Sequence, residues 1–117
     1  MSPRSWCFRL NDILQASQKI VSHTQDMDYR QFCPNDRHVD AVLHNLTAVG
    51  EVSRSIPDEI KIRYPHVAWD EMRDMRNVVI HEYFGVDLSV VWQTVQEDLP
   101  KLIKQVKEIL DESDPSS

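Results

Sequence analysis

The sequence predicts an all-α fold, an antiparallel bundle of four main helices plus a short one. Three observations carry this. Apolar residues recur at spacings of three and four through most of the chain. The 117 residues include only two glycines, Gly50 and Gly85, too few for the turns of a sheet protein. The six prolines fall mostly near the ends of those apolar stripes.

The first helix runs from Ser5 to about His23, with Trp6, Leu10, Ile13, Leu14 and Ile20 as its stripe. The segment TQDMDYRQF interrupts it, with room for one short helical turn. Pro34 and Asn35 open the second helix, whose stripe is Val39, Val42, Leu43, Leu46, Val49 and Val52. Pro57 ends it. Gly50 lies inside that helix at a cost of about 1 kcal/mol relative to alanine, which a close approach of another helix would explain. PDEIKIRYP reads as a short helix with Pro57 in its first turn, Asp58 and Glu59 beside the positive end of its dipole, and Pro65 as its stop. The fourth helix spans about Trp69 to Phe84, with Asp70 and Glu71 in its first turn and Gly85 as a C-terminal cap. Asp87 caps the last helix, which carries Leu88, Val91, Trp92, Val95, Leu99, Leu102, Ile103, Val106, Ile109 and Leu110. Pro100 inside it should kink or break it between Gln96 and Leu99. A single domain over 1–112 with a frayed tail over 113–117 follows.

A formal net charge of -6 excludes a protein that coats nucleic acid broadly, though not a small basic site. Cys7 and Cys33 form no CxxC pair, and no secretory signal is present, which fits a cytoplasmic protein with free thiols. No apolar run reaches the roughly 18 residues of a membrane span, so no membrane is expected. His38, His44 and His66 are scattered without a carboxylate or cysteine set, so neither a metal site nor a cofactor is expected. There is no P-loop, nucleophile elbow or HExxH string.

The stretch RNVVIHEYFGVD, Arg76 to Asp87, is the one candidate for chemistry. Asn77 and His81 are four apart and share a helix face, with Asp74 and Phe84. Arg76 and His81 are five apart, about 140° around the helix, and do not converge on one target. Two copies of the helix facing each other solve this, because Arg76 of one chain can approach His81 of the other in a symmetric dimer. A histidine can remove the 2'-hydroxyl proton of RNA or protonate the leaving 5'-oxygen. An arginine can stabilise the charge that develops on the phosphate. At a helix C-terminus the dipole favours protonated His81, which suits a general acid. Asn77 can bond His81 or the phosphate. The same residues also suit an ordinary helix end, where arginine and histidine cap carbonyls. Tyr83 reads equally as a half-buried packing residue, and Arg73 with Asp70 or Asp74 as a solvated ion-pair face.

The longer string YPHVAWDEMRDMRNVVIHEYFGVDLSVVWQTVQEDLPKL, Tyr64 to Leu102, resembles the HepT family of HEPN-domain toxins. The family pattern is a proline-rich turn, a Trp opening a helix, RN-x3-H-x-Y-F, a glycine-valine-aspartate turn and a Val-Trp-x2-Val helix. DRHVDAVLHNLTAVGEVSRSIP, Asp36 to Pro57, is similar to the family's second helix, with Gly50-Glu51 as its Gly-Glu pair. The N-terminal helix matches only in pattern.

The resemblance implies a HEPN-like helical homodimer that acts as a metal-independent endoribonuclease toxin, of the type VII-like toxin-antitoxin class. It assigns catalysis to Arg76 and His81, with Asn77 in support and RNA as substrate. It further implies a minimal nucleotidyltransferase antitoxin as partner, which adds AMP to Tyr83 and silences the toxin. Glu82 stands where many members carry glycine or another small residue. Two rivals remain open: a non-catalytic helical dimer that binds and titrates the nucleotidyltransferase, and a scaffold in which Arg76 and His81 only tie the dimer together.

Overall fold

A computed structural model describes residues 5–32, 36–83 and 88–113; at Asp36, Val78, 80–83 and Ser113 it gives the backbone alone. Every described element is helical. The first, α1 (Ser5–Thr24), buries Leu10, Ile13, Ala16, Ser17, Ile20 and Thr24 along one face. Trp6 and Leu14 pack at its edge. The Thr24 hydroxyl donates to the Ile20 carbonyl at 2.9 Å as the helix closes.

The interruption that follows holds a one-turn helix, α2 (Tyr29–Phe32). Its origin is local. The Asp28 N–H donates to Gln31 Oε1 at 2.9 Å, and the Gln31 N–H donates to Asp28 Oδ1 at 2.9 Å. This reciprocal pair is a capping box built with Asp and Gln. It swings Phe32 into the core, where its ring lies 5.1 Å from that of Trp92, with Tyr29 at 6.3 Å from the same indole.

The second long helix is α3 (Asp36–Ser53), with Val39, Val42, Leu43, Leu46 and Val49 buried and Val52 at its margin. The short α4 (Asp58–Arg63) starts one residue later than the sequence suggests. Pro57 is its N-cap, with extended backbone (φ -60, ψ 145), and not part of its first turn. Its C-cap is Tyr64, and the Trp69 indole N–H donates to the Tyr64 carbonyl at 2.9 Å, closing the turn into α5 (Trp69–Tyr83). That helix buries Met72, Met75 and Val79.

The last helical rod has three parts: α6 (Leu88–Gln93), a π-helical turn (Thr94–Asp98) and α7 (Leu99–Ser113). The effect of Pro100 is therefore a wider turn and not a break. Proline has no N–H for the carbonyl four residues back, and its ring crowds that carbonyl. The chain answers with a longer-range bond: the Leu99 N–H donates to the Thr94 carbonyl. Val91, Val95, Leu99, Leu102, Val106 and Ile109 stay buried on both sides of the π turn. Trp92, expected in the core stripe, is only partly buried and packs against the core's edge.

The fold is an all-α arrangement of about four main helices, in which α3 packs against both α1 and α5 and α7 packs against α1. Among the described residues no helix is long and apolar enough to cross a membrane. Cys7 is a free, half-buried thiol. The expected caps at Gly85 and Asp87, the helix opening at Pro34-Asn35, Cys33 and the tail over 114–117 lie outside the described residues.

Candidate functional site

The site expected from the sequence sits on the C-terminal half of α5, and α3 determines how that half is held. Gly50 of α3 faces α5 at Arg73 and Arg76. A Cβ placed on Gly50 would lie 2.9 Å from the Arg76 Cβ, 2.9 Å from the Arg76 backbone nitrogen and 3.1 Å from the Arg73 carbonyl oxygen. The two helix backbones approach this closely because residue 50 has no side chain. The close helix contact expected from a glycine inside α3 is present, and its partner is the segment that carries Arg76.

This contact places the residue after Gly50 beside the candidate arginine. Glu51 Oε1 lies 2.9 Å from Arg76 Nε, with both side chains nearly half exposed (48% and 43%). Such exposure makes the pair a positioning contact with little net energy, of the order of 0–1 kcal/mol. Arg73 sits between two carboxylates, Asp74 at 3.4 Å and Asp70 at 3.8 Å. The solvated ion-pair face expected there is what the structure has. The Asn77 amide donates to Asp74 Oδ1 at 3.5 Å, so its described bond runs back along α5 and not to His81.

Arg54, Arg73, Asp74, Arg76 and Asn77 together line a cavity of about 190 Å³. Three arginines, one carboxylate and one amide line it, four of these residues from α5 and Arg54 from the turn after α3. A larger concavity, of about 690 Å³, lies elsewhere between α4 and the start of α5, around Lys61, His66, Trp69 and Glu71. Volume alone would select that one. Charge selects the smaller for a phosphate, which needs donors and cations: its wall has three arginines against one carboxylate, Asp74, whereas the larger has Lys61 and His66 against Asp70 and Glu71.

His81 is on the last turn of α5, and Tyr83 is the final residue of that helix. Helix register sets His81 about 140° around from Arg76. The side chains of His81, Glu82 and Tyr83 lie outside what the structure describes. So Arg76 and Asn77 share a described cavity, while within one chain the register of α5 holds Arg76 and His81 apart. Arg54 is the site residue for which the sequence reading had no role; Glu51 appeared there only in the Gly-Glu pair and Arg73 only in an ion-pair face. The one sequence signal for this grouping was Gly50, which marks a close approach without naming the partner helix. Among the described residues, no group of three or more His, Cys, Asp or Glu could hold a metal ion.

The chain is similar to known proteins over most of its length. The family described as "Ribonuclease HepT-like" matches residues 13–109. The chain is 39% identical over 107 residues to the protein named "Putative RNase MJ1380" of Methanocaldococcus jannaschii, covering 92% of this chain and 98% of that one. It is 40% identical over 93 residues to "Probable ribonuclease HepT" of Thermococcus cleftensis, covering 80% and 84%. A second M. jannaschii protein, "Putative RNase MJ0125", is 39% identical over 101 residues, 86% of this chain and 87% of that one. No solved structure matches significantly. With the family match spanning α1 to α7, and relatives alike over nearly their full length, the chain belongs to the HepT-like ribonuclease family.

Proposed function

We propose that this chain is an endoribonuclease toxin. In this reading it is a homodimer that cleaves RNA without a metal ion through Arg76 and His81, and a minimal nucleotidyltransferase antitoxin silences it by placing AMP on Tyr83. The observation that carries the reading is the R-x4-H string on the final turns of α5, in a chain of the HepT-like ribonuclease family. Arg76 supports it further. Its guanidinium is half-exposed on the wall of an arginine-lined cavity, and its ion-pair partner among the described residues is a solvent-accessible carboxylate that a phosphate can replace.

The chemistry is an internal transesterification. The RNA 2'-oxygen bonds to phosphorus as its proton leaves, and the bond from phosphorus to the 5'-oxygen breaks as that oxygen gains a proton. His81 gives or takes one of those protons. Arg76 neutralises the charge that grows on the phosphoryl oxygens. The register of α5 keeps the two residues of one helix apart, so Arg76 of one protomer works with His81 of its partner across a two-fold axis. Asn77, beside Arg76 on the cavity wall, supports the phosphate.

The Arg76–Glu51 pair favours a second reading. An arginine already engaged by a carboxylate can serve structure alone, and the chain would then be a non-catalytic dimer that titrates the nucleotidyltransferase. Expression of the chain alone in bacteria separates the two. A toxin arrests growth, and His81→Ala and Arg76→Ala each relieve the arrest. Arrest that persists in both variants rejects the site, and absence of arrest with no RNA cleavage by the purified protein selects the titrating dimer. A monomer by light scattering at micromolar concentration would remove the shared site.

A further inference from the structure

Among the described residues, one cation of the cavity beside Arg76 has no acidic group in ion-pair reach. Arg73 is paired with Asp70 and Asp74, and Arg76 with Glu51. Arg54 is exposed, lines the same cavity, and has no carboxylate in ion-pair reach among the described residues. It sits on a firm mount. The Ser53 hydroxyl donates to the Gly50 carbonyl at 2.8 Å, the Ser55 hydroxyl donates to the Val52 carbonyl at 2.6 Å, and Ile56 is buried just beyond. Arg9 of α1 donates to the Ser55 carbonyl at 3.4 Å, which brings a fourth guanidinium to the same turn. In a chain of net charge -6, these four arginines, from α1, the turn after α3 and α5, still outnumber the three carboxylates paired with them, Asp70, Asp74 and Glu51. Such a local reversal of charge is what a polyanion selects.

We propose that Arg54 is a phosphate-binding residue of the RNA site, holding a backbone phosphate of single-stranded RNA next to the one that Arg76 engages. The proposal rests on the ribonuclease reading and adds a subsite to it. Asp74 lines the same cavity but is engaged by Arg73 and Asn77, so Arg54 offers several N–H donors to a phosphate with no carboxylate in ion-pair reach among the described residues, whereas Arg76 must first exchange Glu51 for substrate. Arg54 therefore contributes to binding, and Arg76 to the reacting phosphate.

The test uses a fluorescent single-stranded RNA oligonucleotide and the full-length His81→Ala protein, so that cleavage does not intrude on binding. In that background Arg54→Ala should weaken binding by about tenfold. It should also lower the slope of log Kd against log salt by about 0.7, the value for one phosphate contact on a single strand. Arg54→Lys should keep most of the slope, and Arg54→Glu should lose more affinity than Arg54→Ala. Lys107→Ala, which removes the same charge from the exposed side of α7, is the control for net charge and should leave affinity and slope near the parent values. With His81 intact, Arg54→Ala should raise KM and leave kcat close to wild type. If Arg54→Ala binds with parental affinity and slope, or loses no more than Lys107→Ala, the Arg54 assignment falls while the ribonuclease reading stands. If the wild type neither binds nor cleaves the oligonucleotide, both fall together.

Discussion

Gly50 and Arg76 meet where α3 and α5 pack most closely, with room for no side chain at residue 50: a Cβ there would sit 2.9 Å from both the Cβ and the backbone nitrogen of Arg76. The atoms in the way belong to α5 itself and not to a flexible side-chain tip. Any side chain at residue 50 must therefore push the helix that carries Arg76, Asn77 and His81. A helical glycine that looks costly in the sequence is the device that brings Glu51 and Arg54 alongside Arg76.

The first prediction concerns that contact. Alanine would gain about 1 kcal/mol of helix propensity over glycine in α3. Overpacking against backbone costs roughly 1–3 kcal/mol. The second effect should win, so Gly50→Ala should be less stable by about 1 kcal/mol in urea denaturation. It should also lose RNA cleavage by more than its folded fraction explains, because α5 is displaced at Arg76. A Gly50→Ala protein more stable than wild type would show that the helices separate at no cost.

How far the sequence could be read depends on how local each feature is. The long helices were legible because their burial repeats within each helix, as Val39, Val42, Leu46 and Val49 show on α3. The capping box of Asp28 and Gln31 was present in the string DYRQ, but the segment reads first as an interruption because it has one turn and one buried anchor, Phe32. Pro100 marked where the last helix would be disturbed, but not that a π turn would absorb the disturbance. The surroundings of Arg76 were not legible. Glu51 comes from α3 and Arg54 from the turn after it, and no periodicity within α5 encodes which face of α3 it meets.

The second prediction separates the energetic from the catalytic role of Arg76. The Arg76–Glu51 pair is too exposed to hold the fold together, so a double-mutant cycle between Arg76→Ala and Glu51→Ala should give a coupling of about 1 kcal/mol or less. Arg76→Ala should nonetheless cost on the order of 10²-fold or more in single-turnover cleavage. A large loss of stability with no specific loss of cleavage would assign the arginine to structure and support the titrating dimer.

A third prediction follows from the transesterification. Cleavage should proceed in EDTA and leave a 2',3'-cyclic phosphate and a 5'-hydroxyl, because Arg76 and His81 supply the charge and the proton that the step requires. His81→Ala should lower the rate on the order of 10²-fold or more, with the circular dichroism spectrum unchanged. Activity abolished by EDTA and restored by magnesium would count against this route. So would a His81→Ala dimer as active as wild type.

The last prediction is that Tyr83 is the regulatory handle and takes no part in the cleavage step. A phenol has a reference pKa of about 10, so at neutral pH it is a poor base beside a histidine. Tyr83 is the final residue of α5, two positions past His81 on the same helix end. An AMP group there would add bulk and a negative phosphate close to where the RNA phosphate must bind, and repulsion would silence the site. Tyr83→Phe should therefore keep the fold and most of the cleavage activity. It should also resist silencing by a nucleotidyltransferase with ATP, while wild type is silenced and gains the mass of one or more AMP groups. Mass spectrometry of the treated proteins decides it. An adduct mapped to another residue, or a Tyr83→Phe protein still silenced in an ATP-dependent way, would reject the assignment. Silencing of both proteins without ATP would instead point to occlusion by the bound partner.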